Sequence, residues 1–241
     1  SQGLLYPEDS PLRSGTIEVK YMTAKEEDIL TSTNLIEQGV VITRLLESII
    51  VTPGVKLDDL ILGDKNAIMI GTRILGYGST YDIMLTDPDS QERVEYAVDL
   101  SKLDNKPIDV EWYKNGNNFE YTLPNSKRVL EFKLLTHGDE KKISEIQKDY
   151  EKVEQLTGVS HELTTRLKYQ IQSVDGNTDQ KFIDNFVDNE FLALDTREFR
   201  KHLLLINPDI DLSFEYTSQQ GNKHKIDIPL GLDFFWPAGD K

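Results

Sequence analysis

The chain has 241 residues, and its 27 Lys and Arg against 42 Asp and Glu give a formal net charge of −15 at pH 7. A charge of this sign disfavours nucleic-acid binding, because affinity for the phosphate backbone comes largely from Lys and Arg side chains that displace counterions. Cysteine is absent, which excludes disulfides, thiol nucleophiles and cysteine-based zinc or iron–sulfur sites, while a hydrophobic content of 38% is too high for a disordered acidic chain.

The sequence carries no signal for secretion or membrane insertion. Residues 1–9 lack the basic and apolar regions of a signal peptide. No stretch approaches the ~18 uncharged apolar residues that a membrane helix needs. We therefore expect a soluble chain that stays in the cell that makes it and has no membrane partner.

The first third of the chain predicts a strand and three helices. Residues 16–21 alternate apolar and polar side chains, the period of a half-buried strand. Thr23 and Glu26 have the spacing of a capping box, so a short helix is expected to begin at Thr23. A largely apolar helix is expected over 40–51, where a Thr-Pro-Gly sequence ends it, and another over 64–75, capped by its first residue.

The next segment predicts β-structure. From 80 to 100, apolar side chains recur at every second residue on both sides of a turn at 87–90, which is typical of a hairpin. A second hairpin is expected to pair 108–112 with 119–121 around an Asn-Gly dipeptide, which tolerates the positive φ of tight turns. One more strand is expected over 129–135.

A long amphipathic helix over 139–158 begins the mainly helical part of the chain. Its apolar residues recur every three or four positions, which favours packing on the protein's own sheet, although a coiled-coil partner would use the same stripe. A strand is expected over 167–173. Two helices over 179–193 and 196–206 are expected to follow, with Asp195 as the cap between them.

Clusters of strands interleaved with clusters of helices predict an α+β fold, with mixed antiparallel hairpins and short helices. We expect one compact unit over 16–238 behind an extended leader at 1–15. Within that unit we expect a β-rich lobe at 79–136, a mainly helical part at 139–206 and a C-terminal hairpin at 211–238, whose turn lies at 219–222.

No motif predicts a catalytic, cofactor or metal site. The four histidines are scattered without metal-ligand spacing, and no Gly-x-Ser-x-Gly elbow or phosphate-binding Gly-Lys-Ser/Thr is present. A calcium-loop-like start at 175–179 fails at Gln180 and Phe186, where such a loop needs glycine and glutamate. We therefore predict that the chain is not an enzyme and uses no cofactor; a hydrolase site assembled from distant residues is the opposing hypothesis.

The closing aromatic run is the most unusual local feature. Phe234, Phe235, Trp236 and Pro237 place three large aromatics side by side. On a strand, Phe234 and Trp236 would face one way and Phe235 the other, so one face can complete the core while the other meets a partner. These four residues are the candidate partner-contact residues, and burial in the protein's own core is the alternative.

Several segments, taken in order, resemble one family from about residue 16 to 238. They are 21–31 (YMTAKEEDILT), 62–67 (LGDKNA), 74–78 (ILGYG), 123–124 (LP) with 134–136 (LLT), 195–197 (DTR) with Arg200, 207–212 (NPDIDL), and 229–230 (PL) with 234–237 (FFWP). Together they are similar to the baseplate hub and hub-assembly proteins of T-even-like contractile-tailed bacteriophages.

The resemblance implies a meeting of two turns. Many members of that family carry Cys-x-x-Cys pairs at the positions of 87–90 and 217–220, where this chain has no thiol, so a structural zinc is not carried over. If the shared backbone geometry is kept without the metal, the two turns are expected to lie within about 10 Å of each other.

The resemblance also implies the function. It points to a structural or assembly protein of the tail baseplate hub that binds other tail or hub proteins, with the tape-measure protein as a further candidate partner. The alternative is a tail-assembly chaperone that is absent from the finished virion. The expected location is accordingly the virion baseplate, or the host cytoplasm during assembly.

Overall fold

The computed structural model describes residues 1–235, except for the side chains of residues 152–154 and 232. The helices are α1 (Ala24–Leu30), α2 (Thr33–Glu37), α3 (Val41–Ile49), α4 (Leu62–Tyr77), α5 (His137–Thr157), α6 (Glu162–Gln170), α7 (Gln180–Asn185) and α8 (Ala193–Ile206). The strands are β1 (Thr80–Thr86), β2 (Arg93–Asp99), β3 (Phe119–Thr122), β4 (Val129–Phe132), β5 (Ile171–Val174), β6 (Ser213–Thr217) and β7 (Lys223–Asp227).

The strands form three small antiparallel sheets, which confirms the α+β prediction. β1 pairs with β2, β6 pairs with β7, and β4 lies between β3 and β5 in a three-stranded sheet. Short 3-10 helices occupy several of the connections, at Pro11–Ser14, Leu57–Asp59, Leu100–Lys102, Val110–Tyr113 and Leu232–Phe235, and one π-helical turn follows α7 at Phe186–Glu190.

The chain divides into two compact units, each assembled from separate stretches of sequence. The first unit contains Ser1–Thr16, Gly54–Gly63 and Pro107–Pro208. The second contains Ile17–Pro53, Asp64–Lys106 and the chain from Asp209 onward. The single unit over 16–238 stays a prediction.

The first unit is built on the three-stranded sheet. Phe132 of β4 stacks against Phe119 of β3 at 5.4 Å between ring centroids, and Phe199 of α8 meets Phe132 edge-on at 4.9 Å. Phe132 and Phe199 are fully buried, so α8 covers one face of the sheet. Offset and edge-to-face aromatic pairs of this kind add about 0.5–1.5 kcal/mol beyond their burial.

The second unit combines a small helical cluster with two hairpins. In α3, Leu45, Leu46 and Ile49 lie on one stripe and are fully buried. In β1 the buried and exposed side chains alternate strictly, as the predicted hairpin over 80–100 requires. Tyr96 of β2 stacks on Phe214 of β6 at 5.2 Å, which joins the two hairpins.

The predicted helix start at Thr23 is confirmed and has a further role. The Glu26 carboxylate accepts hydrogen bonds from the Thr23 backbone N–H at 2.9 Å and from the Thr23 hydroxyl at 2.7 Å. It also accepts from Lys20 Nζ at 2.8 Å and from the Ser48 hydroxyl at 2.7 Å. These donors, of which Lys20 has the largest effect, hold the pKa of the fully buried Glu26 far below its usual range. Glu26 therefore completes the capping box of α1 and also ties α1 to α3.

Four of the predicted strands are wrong in whole or in part, and the one expected over 129–135 ends at Phe132. Residues 16–21 make a single antiparallel bridge, between Val19 and Ile50, because the partner segment ends at once in the Thr-Pro-Gly sequence. Where a strand was expected over 108–112, Val110–Tyr113 forms a 3-10 turn, since the Asp109 carboxylate accepts the Glu111 N–H at 3.0 Å and caps it, and β3 pairs with β4 instead. Residues 167–170 belong to α6, and only the part from Ile171 is a strand.

Two other predictions are corrected. The first 15 residues are not an extended leader, because they form turns and a 3-10 helix and bury Leu5, Tyr6 and Leu12. Asp195 is not a cap between helices. It lies buried inside the first turn of α8, where its carboxylate accepts the backbone N–H groups of Asn125 at 2.8 Å and Ser126 at 2.9 Å. Asp195 therefore fixes the turn between β3 and β4.

Candidate functional site

Within the described residues the closing aromatic segment lies in a 3-10 helix, Leu232–Phe235, so the expected strand alternation is wrong for Phe234 and Phe235. Phe234 and Phe235 are both fully buried and meet edge-on at 5.4 Å. Successive residues of a 3-10 helix are one third of a turn apart, so two neighbours can both face the core. Trp236 and Pro237 lie outside the described residues, and a partner contact by this segment stays a prediction.

Arg73 of α4 holds this segment in the second unit. Its Nε donates to the carbonyl oxygen of Phe234 at 3.0 Å, and its terminal nitrogens donate to the carbonyl oxygens of Gly78 at 3.2 Å and Thr80 at 3.4 Å. The guanidinium also lies over the rings of Tyr77 and Tyr81, at 5.0 and 5.7 Å from their centroids. Burial lowers the pKa of Arg73 from its usual value, yet an arginine stays charged in proteins.

The turns at 87–90 and 217–220 meet, which confirms the expected proximity. We call the contact between them the turn junction, formed by Asp87 and Asp89 from one hairpin with Tyr216, Ser218, Asn222 and His224 from the other. The Tyr216 hydroxyl donates to Asp87 Oδ2 at 2.7 Å, and the Ser218 hydroxyl donates to Asp89 Oδ2 at 2.5 Å. Asn222 Nδ2 lies 3.0 Å and His224 Nε2 3.2 Å from the same Asp89 oxygen.

Asp87 is the central acceptor of the turn junction. It is fully buried, and Oδ1 accepts the backbone N–H groups of Asp89 at 2.8 Å and Ser90 at 2.9 Å. The Ser90 N–H and then the Tyr216 hydroxyl lower the pKa of Asp87 to about 2. The same bond to Asp87 raises the pKa of Tyr216 to about 12, because ionised tyrosine would lose the proton that it donates.

The turn junction does not fit a zinc ion. Neither turn carries a thiol, and the carboxylates are occupied by hydroxyl and N–H donors. Within residues 1–235, no cluster of three or more His, Cys, Asp or Glu side chains is arranged to hold a metal ion. Hydrogen bonds between the side chains of the two turns therefore make the connection.

Acid is expected to weaken the turn junction. The pKa of Asp87 is lower in the folded chain than in the unfolded one, so its stabilisation is complete above about pH 4 and is lost as the pH falls toward about 2. The melting temperature of Asp87→Asn should therefore lie below that of the unmodified chain at pH 6, with the gap narrowing toward pH 2. Thermal melts between pH 2 and 7 measure this.

Glu95→Gln is the matched control for that titration, since Glu95 is exposed on strand β2 of the same hairpin and makes no side-chain hydrogen bond or ion pair with any residue of 1–235. Its melting temperature should match that of the unmodified chain at every pH between 2 and 7. A gap for Asp87→Asn that stays constant from pH 6 to pH 2 would show that the Asp87 charge is not what stabilises the junction.

The sequence signals for these features were of different strength. The meeting of the turns is implied by the family resemblance, whereas the anchoring role of Arg73 was not predicted. The available signal was a charged residue inside the apolar helical run from Ile68 to Leu75. The polar partners of Asp87 and Asp89 are common surface residue types, so nothing local marks them as a buried network.

The comparisons with known proteins give one match. A family model described as T4 bacteriophage base plate protein matches residues 6–236. No curated protein and no solved structure matches. None of the helices within residues 1–235 is long and apolar enough to cross a membrane.

Proposed function

The chain belongs to the T4 bacteriophage base plate protein family, and from this membership we propose that it is a structural or assembly protein of the baseplate hub that binds other tail proteins. The observation that carries the proposal is the extent of the match, which runs through both compact units and includes the turn junction. The tape-measure protein is included among the candidate partners.

The site chemistry supports a structural role. The carboxylates whose pKa values are most lowered, Glu26, Asp87 and Asp195, accept several hydrogen bonds each from neighbouring donors. Such groups stabilise turns and helix ends, and their oxygens accept from the chain's own donors. We therefore propose that the protein has no catalytic activity, and that the turn junction and the Arg73 anchor serve to hold hairpins in place.

Removal of the gene tests the proposed function. A phage lacking it, grown with and without a plasmid copy, should give lysates in which electron microscopy finds complete baseplates only when the plasmid supplies the chain. Normal tails without the chain would overturn the proposal. If baseplates require the chain but do not contain it, the protein is the assembly chaperone of the alternative hypothesis.

The charge makes a separate prediction about nucleic acid. With a net charge of −15, the purified protein should show no measurable binding to duplex DNA at physiological salt, where even non-specific binders have dissociation constants of about 10⁻⁴ to 10⁻⁶ M. Fluorescence anisotropy with a labelled duplex measures this. Micromolar binding that weakens with added salt would contradict the expectation.

A further inference from the structure

An apolar groove in the first unit has no assigned role. It lies between α6 and α8, has a volume of about 620 Å³, and seven of its lining residues are leucines. Leu134 and Leu135 in its lining are buried, whereas Leu163 of α6 and Leu204 of α8 are 40% and 72% exposed. Large apolar side chains left this exposed beside a groove are typical of an interaction surface.

The polar lining of the groove differs in charge from the rest of the chain. Arg166 is balanced, because its guanidinium donates to the Glu140 carboxylate and to Glu162 Oε1. Arg200 also lines the groove and is exposed, but it has no hydrogen bond or ion pair with any residue of 1–235. The groove therefore offers one unpaired positive charge next to leucine side chains, in a chain whose net charge is −15.

We propose that this groove binds an amphipathic helix of another tail protein, with apolar side chains between α6 and α8 and a carboxylate paired with Arg200. A helix laid into a groove buries apolar side chains spaced three or four residues apart. Arginine, with its planar fork of donors, is the side chain best suited to a carboxylate at such an interface.

The exposed leucines favour a protein occupant over a small molecule. Leu205, beside Leu204, is 62% exposed, so the apolar surface continues past the groove lining. A small molecule inside the groove would leave that surface in water, whereas a helix several turns long would cover it. Binding of a second copy of this chain is disfavoured, because two chains of net charge −15 repel each other.

The inference rests on the proposed function, because it takes the partner from the same phage tail. A peptide array tests the inference. Overlapping 18-residue peptides covering the other tail proteins of the phage are probed with the intact, labelled chain. Peptides that bind should carry a leucine or isoleucine stripe and at least one Asp or Glu. For each binding peptide, a second version with that acid changed to lysine is made.

Two groove variants decide the outcome. Leu204→Asp should weaken peptide binding by about 30-fold or more, as expected for an interface anchor. Arg200→Glu should reverse the preference, binding the lysine version better than the acidic one. Because both side chains are exposed, both variants should melt at the temperature of the unmodified chain.

The controls lie on the same helix. Leu194 is 57% exposed and Arg197 pairs with Glu198, and neither lines the groove, so Leu194→Asp and Arg197→Glu should bind peptides normally. The inference is overturned if no peptide binds, if the groove variants bind as the controls do, or if Leu204→Asp only dissolves a dimer of this chain. None of those outcomes affects the requirement for the chain in baseplate formation, which the gene removal tests separately.

Discussion

Replacing Phe234 or Phe235 by alanine is expected to lower the free energy of unfolding by about 3–5 kcal/mol, the cost typical of removing a buried phenylalanine ring. Both side chains are fully buried, and Phe234 also meets Tyr81 edge-on at 5.0 Å. Equilibrium unfolding in urea measures the loss. Met84→Ala is the control in the same unit, because Met84 is 66% exposed on β1 and should change stability by less than about 0.5 kcal/mol.

Trp236→Ala, compared with Phe235→Ala, separates a core role from a partner contact. If the closing segment contacts a hub neighbour, Trp236→Ala should leave the melting temperature unchanged while weakening association by about 2 kcal/mol or more in a pull-down with the purified neighbour. If Trp236→Ala and Phe235→Ala both melt much earlier and neither has a selective binding defect, the segment is core and the partner contact is wrong.

Replacing Arg73 by alanine is expected to cost about 3 kcal/mol, because it leaves the carbonyl oxygens of Phe234, Gly78 and Thr80 without their donor in a largely buried position. Hydrogen–deuterium exchange should also show faster exchange of the backbone amides of residues 230–235 than in the unmodified chain, since the anchor of that segment is gone.

Arg73→Lys and Arg44→Ala complete the test. Lysine keeps the charge but cannot reach three acceptors with a rigid fork, so an intermediate loss of stability is expected. Arg44 is exposed, and among the described side chains it pairs only with Glu47 on the same helix, so its removal should cost less than about 0.5 kcal/mol. Equal losses for Arg73→Ala and Arg44→Ala would show that Arg73 does not anchor the closing segment.

Elements with a strong local pattern were predictable from the sequence. The hairpin of β1 and β2, the β6–β7 hairpin and helices α1, α3 and α5 all have either a clear period or a capping signal. The wrong strand over 167–170 shows the limit of such patterns. Leu163 and Leu167 are four residues apart, as a helix requires, and the short alternation beyond them fits a helix equally well.

The candidate site was less accessible, because its contacts join distant parts of the chain. Tyr216 and Asp87 are 129 residues apart, and Arg73 and Phe234 are 161 apart. Composition and periodicity report on neighbours along the sequence and contain no information on such pairs. The meeting of the turns was predictable only through the family resemblance, and the hydrogen bonds that make it were visible only in the folded chain.

Quantitative mass spectrometry of purified, complete virions tests the central claim most directly. If the chain is a structural protein of the baseplate hub, its peptides should be present at a fixed molar ratio to those of the other baseplate proteins and should stay with the baseplate when particles are dissociated into heads and tails. Its absence from complete virions whose assembly requires it would contradict the structural role and assign it to assembly alone.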